Sequence, residues 1–199
     1  MADKYAAVLL FGYPGCGKGT QGQVLGGMPN LSHQAMGDIF RALDKQSELG
    51  QEFLSYSTKG LLVPDDFTVR LFRQHIENLA AQGQFQPKAH MLLMDGIPRT
   101  PAQVDLLTEF VDVRKIVHLA MENDQALIAR LSNRARSSGR PDDADENVIR
   151  KRIEVYRAET SPVLEKYDRK LIANINADQH QLGVLADICG VLKNVVPNL

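Results

Sequence analysis

The stretch Gly12-Tyr13-Pro14-Gly15-Cys16-Gly17-Lys18-Gly19-Thr20 constrains this chain more than any other. An apolar run, residues 5–11, precedes it and reads as a buried strand. Helix-compatible sequence follows it. A strand, a glycine-rich turn and a helix N-terminus form the setting in which successive backbone N–H groups converge on one anion. The glycines permit the tight curl, and Lys18 adds a point charge able to reach outer phosphates. A bare Gly/Pro turn would explain the glycines but not their strict spacing to the lysine. One detail departs from the general pattern. That pattern wants Ser or Thr directly after the lysine to hold Mg²⁺, and here Gly19 stands there with Thr20 behind it. The metal is then left mainly to phosphates and water.

The chain has 199 residues, enough for one domain with small insertions and a full core. A net charge of −1 argues against a nucleic-acid polymer as partner. Charge is nonetheless concentrated locally: six of the thirteen arginines fall between Arg130 and Arg152, a cluster that calls for an anion. Cys16 and Cys189 fit neither a disulfide framework nor a four-ligand metal site, so a reducing, cytoplasmic setting is expected. No apolar run is long enough to span a membrane. The start of the chain runs directly into the phosphate loop, so no removable leader is expected.

Strand candidates at residues 5–11, 31–35, 90–94, 115–119 and 171–175 alternate with helical patterns. The helices are expected over residues 18–25, 38–43, 48–59, 65–82, 101–110, 124–136, 146–167 and 180–195. This alternation predicts an α/β fold, a parallel sheet with helices on both faces, and ligands beyond the carboxyl ends of the strands. Residues 37–66 read as a helical insertion. The polar, Gly/Pro-punctuated residues 137–145 read as a mobile loop.

Three constellations carry chemistry. In Asp95-Gly96-Ile97-Pro98-Arg99-Thr100, a strand-end carboxylate is placed to orient Mg²⁺ or its waters, and the turn projects Arg99 toward phosphate. Asp95 could alternatively cap the helix that begins near Pro101. In Ala35-Met36-Gly37-Asp38-Ile39-Phe40-Arg41, Asp38 is a candidate helix cap with Arg41 one turn in. Arg130 and Arg134, at i and i+4, share a helix face. Arg140 lies on the loop beyond, and Arg150 and Arg152 on the next helix. The acidic run Asp142, Asp143, Asp145 and Glu146 could engage these arginines as plain ion pairs. The five histidines show no ligand spacing. Two polyphosphates brought together need positive charge from several segments, whereas a hydroxyl acceptor benefits from a general base. This chain offers the first and no obvious example of the second.

Taken in order, these motifs resemble adenylate kinases, within the nucleoside-monophosphate kinases. "GYPGCGKGT" resembles the family's phosphate loop, Gly-Thr order included, and "GDIFR" its monophosphate motif. "GLLVPD" resembles the turn that grips the acceptor base, and "DGIPRTPAQ" its DGFPR motif with Gln103 at the adenine-reading position. "SGRPDD" with "ENVIRKR" resembles a short lid.

The resemblance implies a P-loop fold with a roughly five-stranded parallel core, a monophosphate-binding insertion over residues 37–66 and a lid over 135–145. It implies reversible, Mg²⁺-dependent transfer between ATP and AMP by a monomer, with no zinc in the lid. Gly15, Cys16, Gly17, Lys18, Gly19 and Thr20 would cradle the ATP phosphates, with Arg130 and Gln179 at its base and Arg134 on its phosphates. Met36, Leu61, Leu62, Val63, Gly96, Ile97, Pro98 and Gln103 would surround AMP, with Arg41 and Arg99 on its phosphate. Arg140 and Arg152 would stabilise the transferring group beside Lys18, and Asp95 would hold Mg²⁺ through water. The chain departs from the family at Met36, where Thr is usual, and at Ala35 for Ser, Ile97 for an aromatic and Ala135 for a hinge Gly. A UMP/CMP kinase and a silent nucleotide-binding module remain alternatives.

Overall fold

Residues 5–11 hold no charged side chain, and a strand apolar on both faces belongs inside a parallel sheet. The computed structural model, which describes residues 4–138 and 143–196, places it there. Strand β1 (Tyr5–Gly12) is the centre of a five-stranded sheet ordered β2-β3-β1-β4-β5. Its companions are β2 (Leu31–Ala35), β3 (Met91–Asp95), β4 (Val111–Ala120) and β5 (Ile172–Asn176). Each pairing is parallel, with Leu10 opposite Asp95, Ala35 opposite Asp95 and Gly12 opposite Leu119. The register therefore brings the carboxyl ends of four strands to one edge.

The period-2 alternation of β1 divides the core. Ala7, Leu9 and Phe11 face one apolar layer with Phe72 and Ile76 of α4 (Asp65–Ala81). Val8 and Leu10 face the other, with Leu25 of α1 (Lys18–Gly26), Leu127 of α6 (Asp124–Ser138) and Ile188 of α8 (Gln181–Leu192). Helices α2 (Met36–Arg41) and α3 (Glu48–Ser57) occupy the chain between β2 and α4. Helix α5 (Pro101–Leu107) follows β3, and α7 (Glu146–Val155) follows α6.

Three differences from the sequence expectation have a local physical cause. Helix α2 begins at Met36, with Ala35 as its N-cap residue and no side-chain cap. Asp38 lies inside the first turn and accepts from Arg41 instead. Strand β4 starts at Val111, four residues early, because Asp112 and Arg114 pair with each other at the surface while Val111 is buried. The helix expected over residues 146–167 leaves α geometry at Tyr156. A π turn (Tyr156–Thr160) and a 3₁₀ turn (Ser161–Lys166) follow. Pro162 supplies the reason: it lacks an N–H and its ring collides with the carbonyl four residues back. Residues 139–142, and with them Arg140 and the middle of the expected mobile loop, lie outside the described residues. Among the described residues no helix is long and apolar enough to cross a membrane.

Candidate active site

The loop after β1 is built by three glycines with positive φ: Gly12 at +141°, Gly15 at +86° and Gly17 at +107°. A Cβ on Gly12 would stand 2.6 Å from the Leu119 carbonyl oxygen. One on Gly15 would stand 3.1 Å from that of Leu127. These two glycines serve close packing. Gly17 is different, since no described atom lies within 4 Å of the Cβ it lacks. Its side of the loop is the open cradle. Lys18 leans across the loop and donates to the carbonyls of Gly12 (2.6 Å) and Tyr13 (2.9 Å). Its charge is therefore fixed over the cradle. Beneath it, burial pushes the Cys16 thiol up against the opposing pull of Lys18, so this sulfur is a packing group and not a thiolate.

Asp95 ends β3 and is 9% exposed. Burial raises its pKa, but His33, Lys18 and Arg99 together outweigh it and hold the carboxyl below its usual value. His33 Nε2 stands 3.9 Å from Asp95 Oδ2, at ion-pair distance, and has no hydrogen-bond partner. Two glycines of α1 make room for this imidazole. A Cβ on Gly22 would lie 2.7 Å from its Cδ2, and one on Gly26 2.6 Å from its Cβ. In the sequence His33 is one of five histidines without ligand spacing. A Gly-x-x-x-Gly pair on the facing helix is the signal that would have marked it. Asp95 Oδ2 points at the space beside Gly19, 3.8 Å from where a Cβ would be. The Asp95 carboxylate and the Thr20 hydroxyl both line the same cavity, hard oxygen donors of the kind that suit Mg²⁺ keeping water and phosphate ligands.

One cavity of about 770 Å³ runs from this loop to the far side of the carboxyl edge. At the loop end Gly15, Cys16, Gly17, Lys18, Gly19, Thr20, Arg130, Arg134 and Gln179 line it. Met36, Arg41, Leu61, Leu62, Val63, Gly96, Pro98, Arg99, Gln103, Arg152 and the buried Asp95 line it as well. Phe40 and Phe53 stack at 4.8 Å to form one apolar wall. Of the residues expected around the acceptor, Ile97 is the exception. It is 2% exposed and packs into the apolar layer that holds Met94 and Val104. An aliphatic side chain gains more from that layer than from a polar cavity.

The arginines separate by role. Arg134 of α6 and Arg152 of α7 meet on one carboxylate, that of the buried Asp143 (2.6 Å to Arg134). This acidic residue gathers two helices' guanidinium groups at the cavity wall. Arg130 donates to the Ala177 carbonyl (3.2 Å), which lays it beside the cavity's outer rim. Arg150 points away and pairs with Glu146 on its own helix.

A sequence model of the family described as adenylate kinase matches residues 10–172. The chain belongs to the adenylate kinase family. Curated relatives agree. The adenylate kinase of Flavobacterium psychrophilum is 36% identical over 199 residues, spanning 96% of this chain and 98% of the relative. That of Corynebacterium urealyticum is 38% identical over 172 residues, spanning 86% and 90%. Adenylate kinase 1 of a Nostoc species is 35% identical over 192 residues, spanning 93% and 97%. Membership makes the chain a nucleoside-monophosphate kinase that interconverts AMP plus ATP with ADP.

Proposed function

We propose that both nucleotides share the one cavity: the ATP phosphates on the loop from Gly12 to Thr20, and AMP against Met36, Leu61, Leu62, Val63 and Gln103. The observation that carries this is the cavity itself, one space lined both by the phosphate loop and by Met36, Leu61, Leu62, Val63 and Gln103, with Arg41, Arg99, Arg134 and Arg152 on its walls. Lys18 is anchored by two loop carbonyls and meets the outer phosphates of ATP. Arg41 and Arg99 hold the AMP phosphate, and Arg99 is steadied by its Nε bond to the Gly96 carbonyl at 2.9 Å. Gln103 faces the acceptor base.

Transfer needs no general base here, because the attacking group is already a phosphate oxygen anion. The protein's work is to overcome repulsion and to stabilise charge on the moving phosphoryl group. Arg134 and Arg152 arrive in place through Asp143, and Arg140 of the lid segment is assigned to the same charge. Asp95 and Thr20 would hold Mg²⁺ through water, and the ion would neutralise charge on the transferring phosphates. Residues 37–66 act as the monophosphate-binding unit and residues 135–145 as the lid. The protein works as a cytoplasmic monomer, a setting that suits its two free cysteines.

A coupled assay with Mg·ATP against AMP, UMP, CMP and GMP tests the reading. AMP is expected to give the highest kcat/KM. A preference for UMP or CMP would replace it with a pyrimidine-nucleotide kinase.

A further inference from the structure

Gln103 is 2% exposed and lines the acceptor chamber, and both ends of its amide are already committed. The Arg99 backbone N–H donates to its Oε1 at 2.7 Å. Its Nε2 donates to Asp65 Oδ1 at 2.8 Å. The same Asp65 oxygen accepts from Thr100 Oγ1 at 2.8 Å, and Thr100 Oγ1 in turn accepts from the Gln103 backbone N–H at 3.1 Å. The circuit has a definite polarity. A peptide N–H can only donate and a carboxylate oxygen accepts, so Oε1 must face Arg99 and Nε2 must face Asp65. A flipped amide would set two donors against each other at Arg99 and oxygen against oxygen at Asp65.

An amide held in this way has two capacities left: one Nε2 hydrogen and one Oε1 lone pair. Adenine presents a matching edge, with N1 as acceptor and the 6-amino group as donor. Hypoxanthine and guanine present the reverse, with N1–H as donor and O6 as acceptor. They could be read only by the flipped amide. We infer that Asp65 is a specificity-determining residue: by locking the Gln103 amide in one orientation it selects 6-amino purines over 6-oxo purines. Asp65 touches no substrate. It acts through Gln103 as a positioning residue from the first turn of α4. The inference rests on the proposal that the acceptor base lies against Gln103.

The test is Asp65→Asn, assayed with AMP and IMP as alternative acceptors. Asn can turn its own amide and offer either a donor or an acceptor, so one half of the lock is released while shape is kept. The kcat/KM ratio of AMP over IMP is expected to fall by roughly ten- to a hundredfold, the equivalent of one hydrogen bond to a charged group. The absolute kcat/KM for IMP is expected to rise while that for AMP falls. Loss of both substrates in parallel would mean that Asp65 only supports the fold, and would overturn the inference. So would an unchanged ratio in an enzyme whose wild type prefers AMP. A wild type that prefers UMP or CMP would instead remove the acceptor assignment underneath, and the lock with it. Asp65→Ser, whose hydroxyl also donates or accepts and suits a first helical turn, gives the same reading should the Asn variant fold poorly.

Discussion

Substituting Gly22 with alanine separates two opposed effects whose sizes the structure allows to be compared. In a helix interior alanine is better than glycine by about 1 kcal/mol. At Gly22 the added methyl would meet His33, 2.7 Å from Cδ2 and 2.8 Å from Cε1. The ring has little room to yield. Its own Cβ presses on Gly26, and its side chain is only 11% exposed beside Asp95. Overpacking of this kind costs typically about 1–3 kcal/mol. The clash therefore exceeds the propensity gain, and Gly22→Ala is expected to lower stability by about 1 kcal/mol. In a His33→Ala background the obstacle is gone, and the same substitution is expected to raise stability by about 0.5–1 kcal/mol. The change of sign is the signature, a coupling of about 1–3 kcal/mol between residues in contact. Urea unfolding of the four proteins in the cycle measures it. A Gly22→Ala protein more stable than wild type with His33 intact would refute the packing argument.

Other outcomes follow from the site. Lys18→Met is expected to fold normally and lose about 10²–10³-fold in kcat, the usual cost of removing a contact to developing charge; retention of a tenth of wild-type kcat in steady-state assays would be incompatible with its place on the cradle. Arg41→Ala is expected to raise the KM for AMP with kcat little changed, whereas Arg152→Ala is expected to lower kcat; initial-rate kinetics with exchanged phenotypes would reverse the two ends of the cavity. The folded-state pKa of Asp95 is depressed, so its contribution is in place above the unfolded value near 4 and is lost as pH falls below that. Asp95→Asn should accordingly flatten the acid limb of a stability–pH curve, and an unchanged limb would show that His33, Lys18 and Arg99 do not hold the charge. Met36→Thr, which places a hydroxyl in the acceptor chamber, is expected to sharpen AMP over other monophosphates by up to about tenfold in kcat/KM.

How far the chain could be read before its structure depended on where the signals were local. The phosphate loop was legible because strand, glycines and lysine sit within sixteen residues, and β2 was placed correctly from a weak apolar run. The break at Tyr156 was missed although Pro162 announces it, because the apolar period runs on through the π turn. Asp38 was read as a cap from its residue type. The backbone instead begins the helix at Met36 and leaves Asp38 to Arg41. The acidic run at 142–146 held an ambiguity that no local rule resolves. Asp143 pairs with Arg134 and Arg152, as a plain ion-pair reading allows, yet in doing so it sets both arginines at the cavity. Asp65 acts through a partner 38 positions away, which leaves no trace in spacing, and His33 is signalled only indirectly, by the glycine pair that faces it.

The central position of β1 has a consequence for the making of the protein. The strand is made before the other four of the sheet, but its neighbours are β3 and β4, which begin at Met91 and Val111. At about 5–20 residues per second, some 4–16 s separate the synthesis of Gly12 from that of its first partner strand. During that interval the most apolar strand of the sheet, followed by its anion-binding loop, has nothing of its own chain to pair with. Until then the segment is exposed apolar chain, the kind of surface that aggregates or is held by a chaperone. A chain stalled before residue 91 should be captured through residues 5–12, and one stalled after residue 120 should have withdrawn them.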